Sequence, residues 1–227
     1  MSPENMLHIP QLLKPDELEL IDSLLNESAF LDGSKTASMA AKAVKNNLQI
    51  DRQDQDTLPR IQAIFDEALR ASPLFQIYSM PAQIVPFLLS KYEIGMAYGW
   101  HVDSPFMGQP PIRTDLAMTV FLSGPDAYEG GELVIQGPQG VTAFKAGKGD
   151  AVVYPCQYLH CVNPVLSGQR CVAVSWIQSQ VKDIGHRQIL FDLNQVHGSL
   201  YQRDPNAPEA NLLLQAHSNL LRMWAGS

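Results

Sequence analysis

The chain has 227 residues, 45% of them hydrophobic and 17% charged, with 16 Lys and Arg against 23 Asp and Glu and a formal net charge of −7. That length supports one large domain with a full core, without disulfide or metal staples. The acidic balance argues against a protein that grips nucleic acid by neutralising phosphates. The longest apolar runs, such as Ile84 to Leu89, fall far short of the roughly 20 residues of a membrane helix, so neither nucleic acid nor a membrane is an expected partner. The opening stretch Met1 to Leu7 has no basic segment leading into an apolar one, so no signal peptide is expected. The three cysteines, Cys156, Cys161 and Cys171, are an odd number that suits a reducing cytoplasm better than a disulfide scaffold.

Residues 1–77 read as a helical region packing on a core. Pro15-Asp16-Glu17 opens a stripe of Leu18, Ile21, Leu24 and Leu25, with acids in its first turn. A second helix is expected from about Asp56 to Ala71, with Leu58, Ile61, Ile64, Phe65 and Leu69 on one side, Asp56 as N-cap and Pro59 in the first turn. Lys45-Asn46-Asn47 before it reads equally as a wall of an entrance or as a solvated turn.

Residues 78–180 change period. Ile84–Tyr92, Leu116–Leu122, Gly131–Ile135, Ala151–Tyr154 and Cys171–Ile177 are short, rich in Val, Ile, Phe and Tyr, and divided by turn signals such as Ser123-Gly-Pro-Asp126 and Gly147-Lys-Gly-Asp150. Strands at this spacing predict a β-sandwich or jelly roll. Residues 181–227 return to helix, one marked by Ile184, Leu190, Leu193 and Val196, the next by Leu212–Leu214, Leu220, Leu221 and Trp224. The expected fold is mainly β with flanking helices. The Leu-rich last helix is expected either to cap the barrel or to join two copies in a homo-oligomer.

Within the β region stand His101-Val102-Asp103 and, further on, His160. In an extended segment residues i and i+2 share a face, so His101 and Asp103 can reach one metal ion together. A second His from another strand completes a 2-His-1-carboxylate triad with open positions, the arrangement of non-haem Fe(II) oxygenases. An H-x-D triplet alone is common by chance, and surface or core histidines are the plain alternative. Arg170 adds to the metal reading. The turn Ser167-Gly168 predicts a hairpin that pairs Arg170 with about Val165 and sets it roughly 16 Å along the ladder from His160. A five-carbon diacid chelating the metal at one end could meet a two-pronged Arg contact at the other. An exposed cation at a strand start is the alternative for Arg170.

The stretches Tyr92-Glu-Ile-Gly95-Met96-Ala-Tyr98-Gly-Trp-His101-Val-Asp103, Arg113-Thr-Asp115-Leu116, Phe121-Leu-Ser123, Tyr128-Glu-Gly130-Gly131-Glu132-Leu133, Tyr154-Pro155, Leu159-His160-Cys-Val-Asn-Pro164-Val165-Leu-Ser-Gly168-Gln-Arg170 and Trp176-Ile-Gln178-Ser179 resemble the PKHD-type hydroxylases. These are bacterial relatives of the prolyl hydroxylases that use Fe(II) and 2-oxoglutarate. Val44–Gln49 and Arg187–Leu193 resemble the family's end segments, so the likeness covers nearly the whole chain. It implies a double-stranded β-helix, or jelly roll, over residues 78–180. It also implies His101, Asp103 and His160 as iron ligands and Arg170 as partner of the distal carboxylate of 2-oxoglutarate. The activity implied is that of a 2-oxoglutarate-dependent dioxygenase. It would use O2 to hydroxylate a peptide or a small molecule, release succinate and CO2, and rely on L-ascorbate to keep iron reduced. The substrate would be a peptidyl or free amino acid, or a siderophore-related compound.

Some prolyl hydroxylases place a Tyr hydroxyl near the co-substrate from the strand after the H-x-D loop. Phe121 stands there in this chain, so Tyr92, Tyr98 or Thr119 would supply that contact. Trp176, on the same strand face as Arg170, reads as a wall of the co-substrate pocket or as an ordinary core residue. Gly130-Gly131 reads chiefly as a turn at positive φ leading into a strand. A zinc site of His160 with the cysteines lacks the C-x2-C spacing and leaves Asp103 without a role. The reading opposed to an enzyme is a non-catalytic jelly-roll module that binds a metal or small ligand.

Overall fold

A computed structural model describes residues 5–36, 42–51 and 53–226. Residues 1–4, part of the stretch on which the absence of a signal peptide was read, lie outside them. The larger sheet has eight strands in the order β1 (Leu7–Ile9), β14 (Ala151–Pro155), β10 (Leu116–Phe121), β17 (Arg170–Ser179), β6 (Leu88–Tyr92), β4 (Leu48–Ile50) and β2 (Phe30–Asp32), with β5 (Pro81–Ile84) also on β17. The smaller sheet has five strands in the order β13 (Gly140–Phe144), β12 (Leu133–Gly137), β15 (Leu159–Val162), β7 (Ala97–His101) and β3 (Lys45–Asn46). Two short pairs, β8 (Phe106–Met107) with β9 (Ile112–Arg113) and β11 (Tyr128–Gly130) with β16 (Val165–Gly168), complete the β structure.

Period-two alternation in the large sheet sorts residues between two cores. On β10, Leu116, Met118 and Val120 join Ala151 and Val153 of β14 in a core shared with the helices. Ala117 and Phe121, with Val152 and Tyr154, face the small sheet's Leu133, Ile135 and Val162. Helices α1 (Pro15–Asn26), α2 (Thr57–Ala71) and α3 (Pro73–Ser79) cover the outer face of the large sheet. Ile61, Phe65, Ala68 and Leu69 form the buried stripe of α2, and Phe65 stacks on Phe87 at 4.0 Å. The C-terminal helices α4 (Ile184–Arg203) and α5 (Pro208–Trp224) pack on one another, and His186 stacks on Trp224 at 4.1 Å.

Four details depart from the sequence reading. The N-terminal region is not only helical, because β1, β2, β3 and β4 extend both sheets. Asp56 makes no capping bond; Asp54 Oδ1 accepts from the Thr57 N–H at 2.8 Å instead. The expected strand Ile84–Tyr92 is split at Pro86, where Gln62 Oε1 takes the Phe87 N–H at 2.8 Å in place of a ladder partner. The hairpin expected at Ser167-Gly168 does not form. Gly168, at φ +72°, lets the chain leave β16, which pairs with β11, and enter the large sheet, where Arg170 lies opposite Tyr92 of β6. Arg170 and His160 therefore reach one site from facing sheets rather than along one ladder.

Candidate active site

Strands β7 and β15 are antiparallel neighbours with His101 opposite His160, and their rings lie 4.2 Å apart. Just beyond β7, Val102 is 49% exposed while the Asp103 side chain is buried beside His160. One ligand atom from each of His101, Asp103 and His160 lies within 4.8 Å of the others. Nδ1 of His101 is 2.8 Å from the Gly99 carbonyl and Nδ1 of His160 is 3.0 Å from the Tyr158 carbonyl. Each ring thus donates its Nδ1–H to backbone and keeps the Nε2 lone pair for another partner. Burial, then the neighbouring His160, pushes the His101 pKa down to about 4, so this ring is neutral at pH 7. Burial raises the pKa of Asp103, with His160 pulling the other way. Asp103 Oδ2 is buried without a hydrogen-bond partner, 3.9 Å from His160 Nε2. Two imidazoles presenting lone pairs and a carboxylate with an unsatisfied oxygen fit a divalent iron, whose coordination would satisfy that oxygen.

A cavity of about 210 Å³ runs from these ligands to Arg170. Arg170 is 1% exposed, with its guanidinium 5.1 Å from the Tyr92 ring centroid and 5.7 Å from that of Phe121. Its Nε and Nη1 have no hydrogen-bond partner, and among the described residues no carboxylate lies within ion-pair distance. A buried guanidinium without a counter-charge is costly, so the site is built to receive an anion.

The eight residues expected at the iron and co-substrate site all line this cavity: His101, Asp103, His160, Arg170, Tyr92, Tyr98, Thr119 and Trp176. Arg170, Val172, Val174 and Trp176 all point inward from β17, as period two requires. Tyr98 stacks on His101, centroids 3.6 Å apart, and Lys45 Nζ lies 5.4 Å from the Tyr98 centroid. Lys45 and Asn47 are cavity walls rather than a solvated turn. Trp100 is 47% exposed and points away. Gln49 and Tyr154, which stand in family-like stretches but were given no role from the sequence, line the cavity too. Gln49 comes from β4, a strand in a region expected to be helical. Tyr154 lies on the inward face of β14, its ring centroid 5.2 Å from that of His160.

A profile of the 2OG-Fe(II) oxygenase superfamily matches residues 87–178, the span that holds His101, Asp103, His160 and Arg170. A PKHD-type hydroxylase of Gloeothece citriformis is 41% identical over 217 residues, 96% of this chain and 98% of its own. One from Thermosynechococcus vestitus is 40% identical over 222 residues, 97% of this chain and 99% of its own. This chain belongs to the PKHD-type hydroxylases. It is a 2-oxoglutarate- and Fe(II)-dependent oxygenase with a jelly-roll core. Among solved structures, a Pseudomonas putida prolyl-4-hydroxylase superposes with TM-score 0.54 at 16% identity, covering 78% of this chain and 94% of that one. A Trichoplax adhaerens prolyl hydroxylase, solved with a hypoxia inducible factor peptide fragment, superposes with TM-score 0.54 at 14% identity, covering 77% and 84%. These two share the hydroxylase's fold.

Proposed function

We propose that this hydroxylase holds iron through Nε2 of His101, the carboxylate of Asp103 and Nε2 of His160, and anchors 2-oxoglutarate through Arg170. The observation that carries the reading is Arg170 itself: a buried, unpaired guanidinium in the same cavity as three converging metal-type ligands. The iron, when bound, supplies the redox chemistry that couples decarboxylation of 2-oxoglutarate to succinate and CO2 with hydroxylation of the substrate. One atom of O2 goes into succinate and the other into the hydroxylated substrate, and L-ascorbate serves as the reductant that restores ferrous iron.

The protein's part is orientation and exclusion of water. The Gly99 and Tyr158 carbonyls fix both ligand rings through their Nδ1–H groups. Tyr98 packs on the His101 ring, and Trp176 walls the cavity beside Asp103. Tyr92 and Thr119 line the co-substrate end, and burial keeps the Tyr92 phenol protonated as a donor. The substrate enters past Lys45, Val102 and Met107 and is a peptidyl or free amino acid, or a siderophore-related small molecule. Three free cysteines suit a cytoplasmic setting, and no helix among the described residues is long and apolar enough to cross a membrane.

An anaerobic titration of metal-free protein with Fe(II) and then 2-oxoglutarate tests this. A weak visible charge-transfer band that needs both is the expected result. Absence of the band, with neither binding, favours the non-catalytic module.

A further inference from the structure

The unpartnered edge of Arg170 faces a second unpartnered group. Tyr128 is 3% exposed and its hydroxyl, like Arg170 Nε and Nη1, is buried without a hydrogen bond. Backbone pairing brings them together, because Tyr128 of β11 lies opposite Gly168 of β16, two residues before Arg170. Gly131 marks where they meet. A Cβ there would stand 3.1 Å from Arg170 Cδ and 3.1 Å from both Cδ2 and Cε2 of the Tyr128 ring. Its φ of +66° also disfavours any other residue. Lys145 secures the phenol from outside, its Nζ donating to the Tyr128 carbonyl at 2.7 Å and lying 4.5 Å from the ring centroid. The rings of Tyr92 and Phe121 hold the guanidinium. Aromatic faces cannot accept its in-plane N–H groups, so that edge still needs an acceptor.

We propose that Tyr128 is a positioning residue for Arg170. Its hydroxyl oxygen accepts from the Nε/Nη1 edge and so aims the other edge at the distal carboxylate of the co-substrate, while Gly131 leaves the gap in which phenol and guanidinium meet. This rests on reading Arg170 as the co-substrate anchor. That bond satisfies buried groups of both residues at once. Burial raises the Tyr128 pKa, and the adjacent Arg170 draws it back, the sign expected for a phenol oxygen facing a guanidinium.

The test uses the full chain with 15N-labelled arginine, metal-free, and R170K to assign the Arg170 Nε–H signal. In Y128F, which deletes only the hydroxyl, that proton should exchange with water about tenfold faster, the scale of one charge-assisted hydrogen bond, at unchanged melting temperature. Unchanged exchange overturns the proposal whatever 2-oxoglutarate does. If Y128F folds poorly, a nuclear Overhauser contact between Tyr128 ring protons and Arg170 Nε–H in the wild type decides instead, and its absence overturns the proposal. In Fe(II)-loaded enzyme, Y128F should weaken 2-oxoglutarate about tenfold with iron affinity unchanged, and should add nothing in an R170K background. Equal weakening in both backgrounds overturns the proposal, because the phenol would then act without Arg170. If R170K binds 2-oxoglutarate as tightly as wild type, the anchor reading fails, and the exchange measurement still decides Tyr128.

Discussion

His160 and Arg170 are both buried polar residues, yet their removal should have opposite signatures. H160A takes away one of the three proposed iron ligands and leaves Asp103 facing a void. It should abolish Fe(II) binding and succinate release together, and turnover retained in this variant would sink the ligand assignment. R170A should leave Fe(II) affinity intact and weaken 2-oxoglutarate by about a hundredfold, the loss of a bidentate charge-assisted contact; calorimetry under anaerobic conditions reads both. The His101 ring supports a pH prediction. Its folded pKa of about 4 lies below the unfolded value of 6.5, so the unfolded chain binds the extra proton as pH falls between those values. The metal-free wild type should therefore lose stability relative to H101Q from pH 6.5 down to about 4, and differ from it by a constant amount above that window. Urea midpoints of the two proteins measure this. Comparison with H101Q removes the opposite contribution of Asp103, whose raised pKa favours folding as pH falls.

At the scale of elements, the site depends on how β16 hands the chain to β17. Gly168 sits at φ +72°, and a Cβ there would stand 2.1 Å from the Ala127 carbonyl oxygen. Neither the conformation nor the gap admits alanine, so G168A should cost at least about 3 kcal/mol by urea denaturation. Because Arg170 follows two residues later, G168A should also weaken 2-oxoglutarate more than a core substitution of equal cost far from the site. Arg113 and Asp115 stabilise the opposite end of β17. Their bidentate pair, at 2.7 and 2.9 Å, is anchored where Asp115 Oδ2 accepts the Ser179 N–H at 2.8 Å. The strand that carries Arg170 and Trp176 is thus fixed at both ends.

Across the whole molecule, the proposed iron ligands and the proposed co-substrate anchor belong to different sheets. His101 and His160 come from the small sheet and Arg170 from the large one, with the cavity between them. A 2-oxoglutarate bound to both iron and Arg170 would tie the two sheets together. Fe(II) and 2-oxoglutarate together should raise the melting temperature, measured anaerobically, by more than the sum of their separate effects. In R170A the excess should disappear. Merely additive shifts in the wild type would mean that the two ligands do not share one site.

The sequence determined the local features whose physics is short-range. The 3.6-residue stripe of α2, the strand that buries Leu116 to Phe121, the positive-φ turn at Gly130-Gly131 and the H-x-D triplet on an extended segment were all legible, since each depends on neighbours within a few positions. The order and spacing of the family motifs added the link to His160 and Arg170. Only the tertiary structure decided which strands are neighbours. It put His101 opposite His160, sent Arg170 to the facing sheet instead of a hairpin, and drew Lys45, Asn47 and Gln49 out of a region read as helical to wall the cavity. Tyr154 and Tyr128 stand in family-like stretches that assign them no role, because an inward-facing tyrosine on a strand looks like any core residue until the residue across the gap is known. Strand pairing between distant segments is set by which apolar faces can be buried together, a property of the assembled sheets rather than of any one stretch of chain.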